Sequence, residues 1–342
     1  MIKVSVVILN WNGKRFLKDC LSTVSNQSYK DYEIIFVDNN SSDDSVEFVR
    51  KNFPKTRIVE NRSNLGYAEG NNTGVRVAKG KYIVILNNDT ILSKDWLKEL
   101  IAAIEKDNSI GVVVSRGVYS ESDLKFYKTI TLLGYNIKLD KSSAFEHNDI
   151  FFASGCSLIY RRELVDEPFD KDYFAYFEDI YLSWLLRLKG FNVKIADQSK
   201  LNHIGQGTSE GMGHFLKYLA EKNRIMNLFQ FYSLSNIIKV FPLFLAGIVI
   251  HNLYDIKGIF ARLKAYGWCM INSFKIIKKR VKIQKQRKVN DREIIKYMSY
   301  KMFGEEERQV KDWLKAVLKL INKIIYCYCW LLRIRTIEFC EK

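Results

Sequence analysis

Apolar segments alternate with amphipathic segments through the first hundred residues. Continuous apolar runs occur at 3–9, 32–38, 56–60 and 82–86. The intervening segments space their apolar residues as helices do: "KRFLKDCLSTVSNQ", "DDSVEFVRKN", "AEGNNTGVRVAKG" and "KDWLKELIAAIEKD". Near-continuous apolar strands separated by helices predict a Rossmann-like α/β fold, with a mostly parallel sheet and helices on both faces.

Polar side chains follow each of these four strands. Ligands of parallel sheets bind beyond the carboxyl ends of the strands, so four polar ends on one edge predict a ligand crevice. A single such end could be a turn, with Thr90 or Ser93 capping the next helix. The four groups are Asn10-Trp11-Asn12-Gly13, Asp38-Asn39-Asn40-Ser41-Ser42, Asn61 with Asn64 and Gly66, and Asn87-Asn88-Asp89.

The glycine-rich phosphate motifs are missing from this edge. The first strand is not followed by G-x-G-x-x-G, and G-x-x-x-x-G-K-[ST] does not occur in the chain. The sequence therefore gives no indication of a nicotinamide cofactor or a P-loop. Without a glycine cradle, a bound diphosphate would need a cation, and Asp89 is well placed to hold one.

Three blocks of the sequence resemble family-two glycosyltransferases of the GT-A fold. The resemblance covers about residues 3–232, and its nearest match is the rhamnosyltransferase-like branch. The blocks are "VSVVILNWNGKRFLKDCLSTVSNQSYKDYEIIFVDNNSSDDSVEFV", "NLGYAEGNNTGVRVAKGKYIVILNNDTIL" and "FFASGCSLIYRRELVDEPFDKDYFAYFEDIYLSWLLRLKG".

The resemblance assigns the polar strand ends to a nucleoside-diphosphate sugar. Asp38 matches the position that hydrogen-bonds a pyrimidine base, although the residue type alone also fits an Asx-turn. Gly66 could equally provide only flexibility at a helix entry. The residues implied in nucleotide-sugar binding are Asn10, Asn12, Asp38, Asn40, Asn64, Gly66, Asn71, Asn87 and Asn88.

The resemblance also implies a divalent cation, Mn²⁺ or Mg²⁺. The family's strand-tip D-x-D corresponds to Asn87-Asn88-Asp89, in which only Asp89 keeps a carboxylate. His203 matches a late histidine that some members use as a metal ligand, and imidazole would favour manganese over magnesium. The alternative is a surface or supporting histidine. The glycine-rich stretch 204–214 that follows is predicted to form a lid over the donor.

The two acidic residues Glu178 and Asp179 open a predicted helix. Acidic residues in a first turn often only complement the helix dipole. The resemblance assigns Asp179 as the catalytic base, with Glu178 beside it as the second catalytic candidate. A single base fits direct displacement with inversion. Tyr181 and Leu185 depart from the family pattern, which leaves acceptor preference open.

The implied function is inverting transfer of a sugar from a UDP- or dTDP-linked donor to a hydroxyl of a lipid-linked or cell-surface glycan, as in polysaccharide biosynthesis. A sugar-1-phosphate nucleotidylyltransferase would need a basic Gly-rich loop after the first strand, which "NWNGKRF" does not supply. A catalytically impaired nucleotide-sugar-binding protein would fit Asn87, whereas Asp38, Asp89 and Asp179 argue against it.

Charge divides the chain unevenly. The net charge is +16, yet residues 1–213 carry 28 basic and 28 acidic residues, whereas residues 214–342 carry 26 and 10. We therefore predict a catalytic domain over 1–232, with halves at about 1–115 and 116–232, and a helical, basic region over 233–342.

The basic region has the pattern of a membrane-associated segment. The apolar run Val240–Ile250 has eleven residues, short of the roughly 20 needed to span a bilayer. Near the C-terminus, Lys311, Lys315, Lys319 and Lys323 lie opposite an apolar face around Leu318. We expect peripheral docking on an anionic membrane surface, on its cytoplasmic side. The alternative is a charged face packed on the core, and the segment has no nucleic-acid-binding signature.

Overall fold

The computed structural model describes residues 2–117, 126–140, 149–204, 213–302 and 312–340. Each of the four strands predicted from the apolar runs is present, with ends within one residue of the prediction. The strands are β1 (Val4–Asn10), β2 (Tyr32–Asp38), β3 (Arg57–Glu60), β4 (Tyr82–Asn87), β5 (Thr90–Leu92), β6 (Ile110–Gly117), β7 (Phe126–Ile130), β8 (Asn136–Asp140), β9 (Ser157–Arg161) and β10 (Asn192–His203).

The helices follow the strands in the first half and dominate the second. Their bounds are α1 (Lys14–Ser25), α2 (Ser45–Asn52), α3 (Gly66–Val77), α4 (Trp96–Glu105), α5 (Glu178–Leu188), α6 (Gly213–Phe231), α7 (Leu234–Tyr254), α8 (Ile259–Ile271), α9 (Ser273–Gln284), α10 (Asp291–Ile295), α11 (Asp312–Leu331) and α12 (Ile337–Cys340).

Eight strands form one sheet in the order β3-β2-β1-β4-β9-β6-β10-β5. The first four are parallel, so their carboxyl ends lie side by side on one edge. Strand β9 runs antiparallel between β4 and β6, and β5 pairs antiparallel with β10. The predicted α/β fold with a mostly parallel sheet is confirmed.

Alternation along the strands explains why both sheet faces are covered. In β1, Val4, Val6 and Ile8 face one cluster, which contains the apolar residues of α1 and α4. Val7 faces the other cluster, with residues of α3 and α5. Because successive side chains point to opposite faces, a strand that is apolar throughout needs helices on both sides.

Neither Thr90 nor Ser93 caps a helix, which corrects one interpretation of the fourth strand end. Thr90 begins β5 and pairs with His203 of β10. Helix α4 begins only at Trp96, and its N-cap Asp95 makes no side-chain cap bond. Asp89 therefore lies in the tight link between β4 and β5, beside the end of β10.

The C-terminal helices share the core of the sheet. Ile295, Met298 and Ile334 belong to the same buried cluster as Leu158 and Trp184. Backbone hydrogen bonds also connect the two parts. The Ser299 N–H donates to the Ile130 carbonyl at 2.9 Å, and the Leu132 N–H donates to the Ser299 carbonyl at 2.8 Å. The hydrophobic core is therefore continuous across residue 232, and the division of the chain there stays a prediction.

Helix α7 is longer than the apolar run that marked it in the sequence. It has 21 residues and a most apolar window of mean hydropathy 1.8, so it could cross a membrane by length and composition. Only 11% of that window is buried. The helix extends beyond the eleven-residue run because Ile237 and Ile238 precede Lys239, and Leu253 and Tyr254 follow His251 and Asn252.

Helix α11 divides its apolar residues between two directions. Leu318 and Ile325 are buried in the core, whereas Val317, Leu320 and Ile324 are exposed. The side chain of Leu318 therefore packs on the protein and does not face a membrane, whereas membrane association of α11 stays a prediction. Lys311 lies outside the described residues.

Candidate active site

Three polar side chains connect the ends of β1, β2 and β4. The Asn88 amide donates to Asn10 Oδ1 at 2.7 Å, and the Asn10 amide donates to Asp38 Oδ1 at 3.3 Å. Gly13 fits closely beside them, because a Cβ there would lie 2.2 Å from Asn88 Nδ2 and would displace that side chain. The strand ends thus hold one hydrogen-bonded row that terminates in the Asp38 carboxylate.

Asp38 also shapes the loop that follows it. Its Oδ2 accepts the backbone N–H of Ser41 at 2.8 Å, three residues on, whereas an Asx-turn would bond the backbone two residues on. The Asn12 Oδ1 accepts the N–H of Ser42 at 2.7 Å, joining the β1 and β2 loops. Asn12 and Asn40 both have left-handed backbone, with φ of 51° and 64°. These asparagines therefore shape the loops, and both are exposed at the rim.

Asn39, which the sequence analysis did not single out, organises the next strand end. Its amide donates to Asn64 Oδ1 at 2.9 Å and to the Gly66 carbonyl at 3.1 Å. Its Oδ1 accepts from Asn61 Nδ2 and from the Leu65 backbone, both at 3.1 Å. The signal was available, because Asn39 is the first residue beyond a buried strand and cannot be buried without such partners.

Gly66 and Asn71 differ in what they offer a ligand. Gly66 has φ +76°, and a Cβ there would lie 2.5 Å from the Phe174 carbonyl. Its freedom therefore serves the close approach of α3 to the loop before α5. Asn71 is fully buried in α3 and donates to the Tyr67 carbonyl at 2.9 Å, while its Oδ1 has no partner.

Asp89, His203 and Asn87 converge where β4, β5 and β10 meet. His203 Nε2 lies 2.9 Å from Asp89 Oδ1 and 3.5 Å from Asn87 Nδ2. Asn87 Oδ1 is buried without a hydrogen-bond partner. The strand tip therefore brings a carboxylate, an imidazole and an unsatisfied amide oxygen together, and the roles of Asp89 and His203 as metal ligands stay predictions.

These side chains fit a divalent cation that takes its remaining ligands from a bound substrate. Within the described ranges, no three His, Cys, Asp or Glu side chains are grouped as a complete metal site. A hard cation takes six or more oxygen ligands, and phosphates can supply several of them. The donor set at this tip thus suits an ion held partly by a bound diphosphate.

Glu178 and Asp179 occupy the first turn of α5 in different surroundings. Asp179 accepts backbone N–H groups from Gly155 at 3.1 Å and from Ile180 at 2.8 Å. Glu178 Oε2 is buried without a hydrogen-bond partner. Asp179 is therefore the better stabilised carboxylate of the pair.

The electrostatics of the pair agree with this geometry. Burial raises the pKa of Glu178 well above its ordinary value, and the charge of Asp179 raises it further. Burial also raises the pKa of Asp179, but the N–H groups of Gly155 and Ile180 oppose that shift. Burial thus raises the pKa of both carboxyls, and it is the ionised form of Asp179 that the N–H groups of Gly155 and Ile180 favour.

Tyr67 and the 155–156 backbone link the acid pair to the strand tip. The Tyr67 hydroxyl donates to the Gly155 carbonyl at 2.7 Å, and Asn87 donates its backbone N–H to Cys156 at 2.9 Å. Burial raises the pKa of Tyr67 well above its ordinary value, with further contributions from the charges of Glu178, Asp179 and Asp89. Tyr67, which the sequence analysis did not identify, thus lies among the acids of both groups.

The loop before Glu178 has a strained backbone. Phe174, Tyr176 and Phe177 all have positive φ, between 63° and 68°. Such conformations cost free energy in non-glycine residues and persist where neighbours enforce them. Here the buried Asn223 of α6 donates to the carbonyls of Tyr173, Ala175 and Tyr176 at 3.0, 2.9 and 2.7 Å.

A second asparagine on α6 completes this support. The Tyr173 hydroxyl donates to Asn227 Oδ1 at 2.6 Å, and Asn227 Nδ2 donates to the Phe177 carbonyl at 3.2 Å. Asn223 and Asn227 are four residues apart, so both reach the loop from one face of the helix. The sequence marked neither residue, because a helical asparagine gives no sign of a distant loop.

The two departures from the family pattern lie in the core of α5. Tyr181 packs edge-on against Tyr173 and Phe231, with ring centres 5.5 and 5.3 Å apart. Leu185 is buried. Both positions are thus explained by packing. Most of the predicted lid, residues 205–212, lies outside the described residues.

Comparison with known proteins supports the resemblance. Residues 5–169 match the model of the family described as Glycosyl transferase family 2. Glycosyltransferase GlyG of Streptococcus pneumoniae serotype 4 is 31% identical over 132 residues, which are 37% of this chain and 44% of that protein. The matched part is thus less than half of the length of that relative.

Two further proteins share a larger part of the chain. The poly(ribitol-phosphate) beta-N-acetylglucosaminyltransferase TarP of Staphylococcus aureus is 26% identical over 63% of this chain and 69% of that protein. The mannosyltransferase PcManGT of Pyrobaculum calidifontis, solved with GDP-Man and Mn²⁺, is 18% identical with a TM-score of 0.51, over 79% of this chain and 75% of that one. The sequence matches show similarity to family-two glycosyltransferases, and the structural match supports the GT-A fold.

Proposed function

We propose that this protein transfers a sugar, with inversion, from a UDP- or dTDP-linked donor to a hydroxyl of a lipid-linked or cell-surface glycan, with a divalent cation. The observation that carries the proposal is that two clusters of polar side chains lie together at one edge of the sheet. The Asp89–His203 tip and the Glu178–Asp179 pair are joined there through Gly155, Cys156 and Tyr67.

The donor side of the site suits a nucleoside diphosphate. Asp38 ends the row of polar side chains and offers its carboxylate to a base, while Asn10 and Asn88 fix its position. Asp89 and His203 would hold Mn²⁺ or Mg²⁺ against the diphosphate. The bound cation would neutralise charge on the departing diphosphate.

The acceptor side supplies the base. Asp179 accepts the proton of the acceptor hydroxyl while the oxygen of that hydroxyl bonds to the anomeric carbon of the donor sugar. The bond from that carbon to the phosphate oxygen breaks, and the diphosphate leaves with the electron pair. One base on one face of the sugar fits displacement with inversion, and the two N–H bonds to Asp179 orient its carboxylate.

The similar proteins narrow the acceptor only to a class. TarP is named for transfer of N-acetylglucosamine to poly(ribitol-phosphate), and we propose a polymeric or lipid-linked glycan here by analogy. The rhamnosyltransferase-like branch stays a prediction. An impaired binding protein would not need the Glu178–Asp179 arrangement, and a nucleotidylyltransferase would need a basic loop after β1.

We further propose that the enzyme is peripheral on the cytoplasmic side of the membrane. Contacts at both ends of α7 support docking without crossing: Ser233 bonds to Asp291 at 2.7 Å, and Lys217 pairs with Asp255 at 2.7 Å. If α7 crossed the membrane, α6 and α8 would lie on opposite sides of the bilayer. In the structure the two helices are in contact, since Lys222 Nζ of α6 lies 4.9 Å from the ring centre of Trp268 of α8. Alkaline extraction should therefore release the protein from membranes.

A thermal-shift screen of nucleoside-diphosphate sugars, with and without Mn²⁺ or Mg²⁺, would test the proposed function. Binding to the folded state raises its stability, so the true donor should give the largest shift. Asp89→Ala should abolish the part of the shift that depends on the cation. Unchanged metal dependence in that variant would refute the cation assignment, and retention of configuration in the product would refute inversion.

A further inference from the structure

Among the described residues, the large apolar side chains with the highest exposed fractions lie where α8 meets α9. Ile271 and Phe274 flank the connection and are 84% and 86% exposed, and Ile277 is 55% exposed one turn later. Soluble proteins rarely present such groups together without a partner. Neither the sheet nor any other described element covers them.

Lysines lie among these apolar side chains. Phe274, Lys278 and Lys282 follow one another at four-residue spacing, as do Ile277, Val281 and Lys285, and all six are exposed. Residues three or four apart share a face of a helix. We call Ile271, Phe274, Ile277, Lys278, Lys282 and Lys285 the α9 outer face.

The inner side of α9 packs on the main hydrophobic core and on the end of α6. Ile276 and Ile283 are buried in the main cluster. Lys279 pairs with Asp170 at 2.6 Å, and Arg280 donates to the carbonyls of Phe229 and Tyr232, both at 2.6 Å. The outer face is therefore held in place on a rigid helix before it meets any partner.

The surrounding charge identifies the partner. Residues 256–290 contain eleven Lys or Arg residues and no Asp or Glu. Protein interfaces are depleted of lysine at their centres. By contrast, an anionic bilayer accepts apolar side chains below its headgroups while lysine stems extend to the phosphates.

We propose that the α9 outer face binds the surface of an anionic phospholipid bilayer. The inference rests on the proposed membrane location and assigns the membrane contact to the α9 outer face. The sequence analysis had assigned that contact to Val240–Ile250 and to the face around Leu318. Ile271, Phe274 and Ile277 enter the headgroup region, and the three lysines contact lipid phosphates.

The test measures binding of the full-length protein to vesicles of phosphatidylcholine, with and without phosphatidylglycerol. Replacing Lys278, Lys282 and Lys285 together by Gln should lower the partition coefficient about a hundredfold on the mixed vesicles. Replacing Ile271, Phe274 and Ile277 together by Ser should remove the fraction that resists high salt, because salt screens charge but not apolar contact.

The matched control replaces three exposed apolar residues of α11, Val317, Leu320 and Ile324, by Ser. It should bind vesicles as the wild type does. Equal loss in the control, or wild-type binding by both α9 variants, would overturn the proposal, as would a wild type that ignores anionic vesicles at low salt.

Donor hydrolysis in solution separates this proposal from the proposed function. The α9 variants should hydrolyse donor and unfold at the wild-type temperature, since their changed side chains are exposed. A wild type that binds vesicles but neither hydrolyses nor transfers a sugar would refute the proposed function alone.

Discussion

The sheet edge that holds the candidate site and the helices from residue 234 onward both place side chains in unfavourable surroundings. The sheet edge buries polar side chains, and the helices expose large apolar ones. At the edge, polar groups such as Asn10, Asn39 and Asp89 are buried. Among the described residues from 234 onward, large apolar groups such as Phe260, Ile271 and Phe274 are exposed. A buried polar group must find partners, and an exposed apolar patch needs a cover. The first region therefore shows a preorganised site, and the second indicates a binding surface.

The largest effect should come from removing the second region. A chain that ends after Tyr232 loses the core contributions of Ile295, Met298 and Ile334. Each buried aliphatic side chain is worth about 1.5–3 kcal/mol, against a total stability of about 5–15 kcal/mol. We expect the shortened chain to lose cooperative unfolding, as followed by circular dichroism. Cooperative unfolding at the full-length temperature would instead make the two regions independent, as the charge boundary suggested.

The next largest effect is on chemistry at the edge alone. Asp179→Asn should keep donor affinity but lose transfer by about two to four orders of magnitude, the usual contribution of a general base. Calorimetry measures the binding and product counting measures the turnover. Glu178→Gln is the matched control, and an active Asp179→Asn enzyme would transfer the role of base to Glu178.

The sequence predicted those parts of the fold and site that depend on local pattern. Strand positions followed from apolar runs, and the edge followed from polar residues at their ends. The resemblance implied Asp89 and His203 as metal ligands, and their side chains lie 2.9 Å apart, while metal binding itself stays a prediction. Each of these features is carried by residues that are close in sequence or in a known motif.

The features that the sequence did not reveal depend on distant contacts. Asn39 and Tyr67 became recognisable only through partners that the sheet brings together. Leu318 and Phe274 both lie in amphipathic stretches, yet one is buried and the other is 86% exposed. Periodicity gives the faces of a helix, whereas tertiary packing decides which face is covered.

Asn223→Ala would show whether the helical region reaches into catalysis. The change removes three hydrogen bonds to the strained loop before Glu178. Small displacements of a catalytic group can cost up to about a hundredfold in rate, so we expect kcat to fall roughly tenfold or more. The KM for donor should stay unchanged, because Asp38 and Asp89 lie on other strand ends.

Gln230→Ala is the matched control for Asn223→Ala. Gln230 is a buried amide of the same helix whose side-chain atoms contact no hydrogen-bond partner. It should change thermal stability without changing kcat. If both variants lost kcat in proportion to stability, Asn223 would be a structural residue rather than a positioning residue.

The smallest effect tests how the acid pair shares its proton. In the folded protein the pKa of Glu178 is raised well above 4.5 by burial and by Asp179. Folding therefore takes up a proton at any pH between the unfolded and folded values. The stability contributed by this group is fully present below the unfolded pKa and is lost as pH rises through the folded pKa. Gln cannot ionise, so Glu178→Gln should match the wild type in Tm at low pH and exceed it by a few degrees in mildly alkaline buffer. A difference in Tm that does not change with pH would mean that Glu178 is ionised in the fold, and the division of roles between Glu178 and Asp179 would then be wrong.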